Sequence, residues 1–132
     1  MLVKDLMSSY ITSVRAEDPT EAVIARMRSE NVGLIPVCDV QNHLLGVITD
    51  RDILMRDGFG KTAQAIMTPD PVTTSPKEDI HAAALKFSAH GVRRLPVVEN
   101  EKLVGILSLK DLAKKRIFIA EIGHIIYEIS NR

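Results

Sequence analysis

The stretch "GVITDRDI", Gly46 to Ile53, returns as "GILSLKDL", Gly105 to Leu112. Glycine, a hydroxyl three residues on, aspartate three further and an aliphatic residue are thus written twice. Working outward, Met7 pairs with Met67, Ala22 with Ala82, Val32 with Val92 and Pro36-Val37 with Pro96-Val97, all at one constant offset. Beyond "DVQNH" the offset falls by one, pairing Leu44 with Leu103, Gly46 with Gly105 and Asp52 with Asp111. One deletion in a hairpin turn accounts for the change. The chain is two copies of one unit, and such self-similarity decides the fold before any local reading does.

Each copy reads as a short helical lead-in, an extended piece, a helix, two strands and a second helix. In the first copy Asp18-Pro19 predicts an N-cap followed by proline at the first helical position, opening "TEAVIARMRSE". In the second, "DIHAAALKFSAHG" stops at Gly91. "LIPVC" and "LLGVIT", like "LPVV" and "LVGIL", are almost continuously apolar, as strands covered on both faces are. Pro36 and Pro96 fall inside these runs and belong where no ladder N–H is needed.

The predicted class is α/β: two β-α-β-β-α repeats packed about a pseudo-twofold axis, with a C-terminal helical extension. Repeat one spans 1–57, a linker within "RDGFGK" 58–62, repeat two 63–116, and an amphipathic helix 117–132. A unit of about 60 residues is marginal alone, so the copies must support each other.

The bulk properties exclude several functions. Seventeen basic residues balance seventeen acidic ones over 132 residues, leaving no electrostatic footprint for nucleic acid. "MLVKDLMSSY" has no uninterrupted apolar run, so neither a signal peptide nor a membrane span is expected. Cys38 stands alone, which fits a reducing, cytoplasmic setting. His43, His81, His90 and His124 lack ligand spacing, so no metal is expected. Neither a P-loop nor a G-x-S-x-G elbow is present, and an enzymatic activity is not expected.

The doubled G-h-x-[ST]-x-x-D motif, the "LM" and "IM" lead-ins at Met7 and Met67, and "GLIPV" and "RRLPV" resemble a tandem pair of CBS domains, the cystathionine-beta-synthase repeat also called a Bateman module. The resemblance covers roughly residues 3 to 115. It implies two clefts between the repeats, often occupied by AMP, ADP, ATP, S-adenosylmethionine or NAD-type molecules, with no obligatory cofactor. By resemblance, Asp52 and Asp111 take ribose hydroxyls while Thr49 and Ser108 assist with phosphate. The adenine slot falls to Thr12, Val14, Ile35 and Pro36 in one copy and to Val72, Thr73, Leu95 and Pro96 in the other. Arg93 and Arg94, where the first copy has Gly33 and Leu34, are placed to touch phosphate.

The residues alone leave an alternative open. Thr49-x-x-Asp52 and Ser108-x-x-Asp111 are also capping boxes, which explain hydroxyl and acid without a ligand. Arg51 and Lys110 lie in the first helical turn, where a cation opposes the helix dipole unless an anion is bound. "TDRD" carries two acids against one base and "SLKD" one of each, so unequal sites are predicted, with the Asp111 cleft dominant.

In the tail, Ile119, Ile122, Ile126 and Ile129, widened by Phe118 and Ile125, form an apolar stripe. It predicts a homodimer contact, an intramolecular lid being the alternative. The expected function is an energy-sensing regulatory module that binds an adenosine-containing ligand and signals to a separate effector protein. The alternative is a structural dimerisation and assembly module with non-binding clefts.

Overall fold

The computed structural model describes residues 1–56, 58, 60–115, 127 and 129. Its elements, in chain order, are a 3-10 turn (Val3–Asp5), β1 (Val14–Arg15), α1 (Thr20–Glu30), β2 (Leu34–Cys38), β3 (Leu44–Thr49) and α2 (Asp50–Met55). There follow α3 (Ala63–Ile66), β4 (Thr68–Pro69), α4 (Ile80–His90), β5 (Arg94–Glu99), β6 (Lys102–Ser108) and α5 (Leu109–Ala113). The mixed α/β class is as the sequence predicts.

The chain forms two compact units that cut across the sequence repeats. The first comprises Thr12–Pro71 with Glu101–Leu103; the second comprises Met1–Ile11, Val72–Asn100 and Val104–Arg132. Each lead-in therefore packs with the β-hairpin of the other repeat.

In the first unit the sheet order is β1-β2-β3-β4. β1 runs parallel to β2 through Val14↔Val37 and Arg15↔Cys38, so no β1 residue lies opposite Pro36. Val47 of β3 is its partner on the other side, and this satisfies the constraint that proline donates no ladder bond. β4 closes antiparallel on β3 through Gly46↔Pro69 and Val47↔Thr68. This explains the motif's glycine: a Cβ at Gly46 would lie 2.7 Å from both Met67 Sδ and the Thr68 carbonyl. The buried core gathers Val23, Met27, Ile35, Val37, Ile48 and Ile66.

The second unit repeats the plan with single bridges in place of the short strands. Thr74 bridges Val97 in parallel and Ser8 bridges Ile106 antiparallel, flanking the β5-β6 pair. A Cβ at Gly105 would meet Met7 Sδ at 2.7 Å. Val3, Ile80, Phe87, Leu95, Leu107 and Leu112 are buried in its core, and Ile129 packs against that cluster.

The helix ends separate the copies. Asp79 caps α4, accepting from His81 N–H at 3.0 Å, and Gly91 ends the helix in the left-handed region at φ 65°. In the first copy Pro19, not Asp18, holds the N-cap position and has no side chain to cap with. Asp18 instead accepts from Arg15 N–H at 2.9 Å, closing the preceding turn. Asn31 ends α1 at φ 53°. The hairpins account for the lost residue: Asp39 carboxylate bonds to Gln41 and His43 N–H hold the first turn, whereas left-handed Asn100 and Glu101 alone join β5 to β6. The expected amphipathic helix and dimer contact of the tail lie outside the described residues, except for Tyr127 and Ile129, which are helical.

Candidate functional site

In the first unit Thr49 leaves β3 in extended conformation and caps α2, its hydroxyl accepting from Asp52 N–H at 3.3 Å. Asp52 reaches back: its Oδ2 accepts from Thr49 N–H at 3.0 Å and from Thr49 Oγ1 at 3.2 Å. Its Oδ1 accepts from Thr68 Oγ1 at 3.0 Å and pairs with Arg56 Nε at 3.4 Å. Only 8 % of Asp52 is exposed. Both oxygens are committed within the chain, so this carboxylate has the environment of a structural clasp between α2 and the start of β4.

The second unit builds the same box with a different remainder. Ser108 Oγ accepts from Asp111 N–H at 3.2 Å, and Asp111 Oδ2 accepts from Ser108 N–H at 2.9 Å and Ser108 Oγ at 3.0 Å. Ser8, the sequence counterpart of Thr68, turns its hydroxyl to the Tyr10 carbonyl at 3.4 Å. Among the described residues, Asp111 Oδ1 therefore has no partner, and the residue is half-buried.

Around this box lies a cavity of about 430 Å³, lined by Arg93, Arg94, Ser108, Leu109, Lys110 and Ile129. Leu109 N–H donates to the Arg93 carbonyl at 3.1 Å, tying the entry of β5 to the first turn of α5. That bond brings three cations to one concavity, and none has a carboxylate partner among the described residues. The N–H of Lys110 is likewise unbonded there. In the first unit Asp50 N–H reaches the Gly33 carbonyl at 3.2 Å in the same way. The neighbouring cavity, about 480 Å³, has Gly33 and Asp50 in its lining where the other has Arg93 and Leu109. The second unit's cavity thus gathers three cations, while the first unit's cavity has one acid, Asp50, and one cation, Arg28, in its lining.

A single sequence pattern, that of the CBS domain, matches residues 3–57 and again 63–117. The chain belongs to the CBS-domain family. As a tandem CBS protein it is 33% identical over 135 residues to the CBS domain-containing protein YhcV of Bacillus subtilis, covering 98% of this chain and 96% of that one. Its fold is similar to that of CBSX2 from Arabidopsis thaliana, solved in complex with AMP, with a TM-score of 0.80, 26% identity and coverage of 90% of this chain and 98% of that chain. The CBS domain pair of MJ0100, in complex with 5′-methylthioadenosine and S-adenosyl-L-methionine, is similar at a TM-score of 0.78 and 27% identity, covering 92% and 98%.

The structure places the CBS site candidates unevenly. Arg93, Arg94, Ser108 and Lys110 converge on one cavity, with Asp111 bonded to Ser108. Ile35 and Leu95 have no exposed surface and belong to the two cores, and Pro36 and Pro96 are buried beside them. Val14 is a buried β1 residue; Thr12, Val72 and Thr73 are half-buried. The Thr73 carbonyl accepts from Lys86 Nζ at 2.8 Å. Arg51 is exposed on α2, on the unit whose carboxylate is already clasped. Leu109 and Ile129 are the cavity residues that motif reading passed over. Ile129 was visible as part of an apolar stripe, but a stripe does not say what it docks against.

Lys86 also pairs with Glu78 at 2.9 Å, and Glu78 accepts from the Thr74 hydroxyl. Burial pushes the Glu78 carboxyl up, but the Thr74 and Lys86 bonds outweigh it and hold the group below its ordinary range. Cys38 is buried, and loss of solvent, assisted by the Asp39 charge, pushes its thiol up to about 11. A thiol so far above neutrality is a poor nucleophile. Among the described residues no group of three or more His, Cys, Asp or Glu is placed to hold a metal ion, and no helix is long and apolar enough to cross a membrane.

Proposed function

We propose that this chain is a regulatory module whose second unit binds an adenosine-containing ligand bearing phosphate, AMP being the simplest, and passes the change to a separate effector protein. The observation that carries the reading is the convergence of Arg93, Arg94 and Lys110 beside a carboxylate with one uncommitted oxygen. Arginine forks suit phosphate oxygens in paired hydrogen bonds. A carboxylate oxygen without a partner can accept from a ribose hydroxyl. Two similar CBS pairs are solved with AMP and with sulfur-containing adenosyl ligands, whose shared part is adenosine.

For the first unit a second reading is favoured, because Asp52 is consumed by Thr49, Thr68 and Arg56. There the motif acts as a cap and clasp. Binding at one dominant site per chain follows.

Titration calorimetry of the full chain with AMP, ADP, ATP and S-adenosylmethionine tests this. A charge-assisted phosphate contact is worth about 1.5–3 kcal/mol, so Arg94→Ala should weaken AMP roughly tenfold or more. Added salt should weaken it too, since the cations are solvent-facing. Two equivalent sites per chain, or no heat and no thermal stabilisation by any of these compounds at millimolar concentration, would reject the proposal.

A further inference from the structure

The helices of the first unit carry an apolar face that the unit's own packing leaves open. On α2, Leu54 is 84 % and Met55 74 % exposed. Two concavities flank Leu54, of about 480 and about 460 Å³, and Ile24, Ile53 and Leu54 line both. A knob with a hollow on either side is a relief that a second such face can fill. The second repeat does not reproduce it, having Ala113 and Lys114 where the first has Leu54 and Met55. Adjacent large apolar side chains held in water in one copy and replaced in the other mark a contact surface.

The charges beside this face select its occupant. Glu21, Ile24 and Arg28 fall on one stripe of α1. Glu21 borders one concavity and Arg28 the other. Two helical turns part them, about 10.5 Å along the axis, too far to pair within the chain. Among the described residues Arg28 has no carboxylate partner. The same helix from another copy, laid antiparallel across Ile24 and Ala25, puts each Glu21 opposite the other copy's Arg28, and a twofold contact requires such self-complementarity. Asp50, which opens α2, and Arg56, which follows it, repeat the arrangement about Ile53, one in each concavity. A partner of a single charge sign would be repelled at one end of the face, whereas a second copy satisfies both ends. We infer that this chain associates with a second copy of itself through the α1 and α2 face of its first unit, Leu54 of each protomer seated in the other's hollow and Glu21 paired with Arg28 across the twofold. The association is independent of the nucleotide binding proposed for the second unit.

Sedimentation velocity of the full chain over a concentration series tests this. The parent should sediment as a dimer and Leu54→Glu as a monomer, its circular dichroism unchanged because position 54 is solvent-exposed within the chain. Glu21→Arg and Arg28→Glu should each weaken the dimer about tenfold or more, since each sets like charges face to face on both sides of the twofold. The two exchanges combined should return the affinity to within about threefold of the parent. These charge variants lie at exposed positions and carry the test should Leu54→Glu fail to fold. A parent that is monomeric throughout the series overturns the inference. So does a folded Leu54→Glu protein that stays dimeric, which would place the contact on another surface. Single charge exchanges that leave the dimer at parent affinity, or a double exchange that does not restore it, overturn the antiparallel pairing on which the choice of a second copy rests.

Discussion

Replacing Asp52 by Asn should cost about 2–3 kcal/mol of folding stability, and the same change at Asp111 less than about 1 kcal/mol. The asymmetry follows from what the two carboxylates hold. Asp52 is 8 % exposed and serves the Thr49 box through one oxygen, Thr68 and Arg56 through the other. Neutralisation lowers each charge-assisted bond from about 1.5–3 to about 0.5–1.5 kcal/mol, so the Thr49 and Thr68 contacts lose about 1 kcal/mol apiece. The Arg56 pair, half-exposed on the arginine side, adds at most about 1 kcal/mol. The new amide must also point its NH₂ at one of the donors the carboxylate satisfied. Asp111 loses charge assistance only toward Ser108, and its other end meets solvent. Urea unfolding followed by circular dichroism reads both, with an unchanged slope showing that stability alone has moved. Thr68→Ala combined with Asp52→Asn should show a coupling of about 1 kcal/mol. Ligand binding should give the opposite ranking, with Asp111→Asn weakening AMP and Asp52→Asn leaving it near parent. Equal destabilisation by the two Asn variants, or no coupling between positions 52 and 68, would refute the clasp.

Two further outcomes are expected. Glu78 has a folded-state pKa below its ordinary value of 4.5, so its contribution is complete above that pH and lost as pH falls through the lower folded value; acid unfolding of Glu78→Gln should show a shallower loss below about pH 4.5 than the parent, and parallel curves would exclude this role. Gly46→Ala should destabilise by about 1–3 kcal/mol, because its Cβ would lie 2.7 Å from the Thr68 carbonyl as well as from Met67 Sδ, and Gly105→Ala should cost less, because the sulfur of Met7 can swing away while the Ser8 carbonyl is 3.0 Å distant; thermal melts that rank them in reverse would contradict the close approach.

Repetition made the architecture legible in the sequence, because two copies at a constant offset expose the pattern of strand, helix and turn twice over. Gly91 as a helix stop and the shortened second hairpin were readable for that reason. The start of α1 is not legible in the same way: Asp18-Pro19 has the letters of a cap, yet the Asp18 carboxylate accepts from the Arg15 N–H of the preceding turn. Lead-in exchange was not readable either: Met7 and Met67 match each other in sequence, yet each packs against the glycine of the opposite copy. Sequence periodicity reports which residues are equivalent and is silent about which repeat each one serves.

The same limit explains why the motif could not decide its own role. Hydroxyl and aspartate at this spacing form the same box in both units, with matching bonds from Thr49 and Ser108. What differs is the third party. A threonine at 68, with a side chain that reaches Asp52, consumes the second oxygen in one copy; a serine at 8, bonded to its own Tyr10 carbonyl, leaves the Asp111 oxygen uncommitted in the other. Charge diverges in the same direction, with Asp50 where the second copy has Leu109 and Gly33 where it has Arg93. On the proposed reading, a phosphate-bearing ligand would find a spent carboxylate and the balanced charges of Asp50 and Arg28 in the first unit, and three cations beside an available carboxylate in the second. Duplication thus supplied two similar frames, and a few neighbours outside the motif commit both oxygens of Asp52 in one while, among the described residues, one oxygen of Asp111 stays uncommitted in the other.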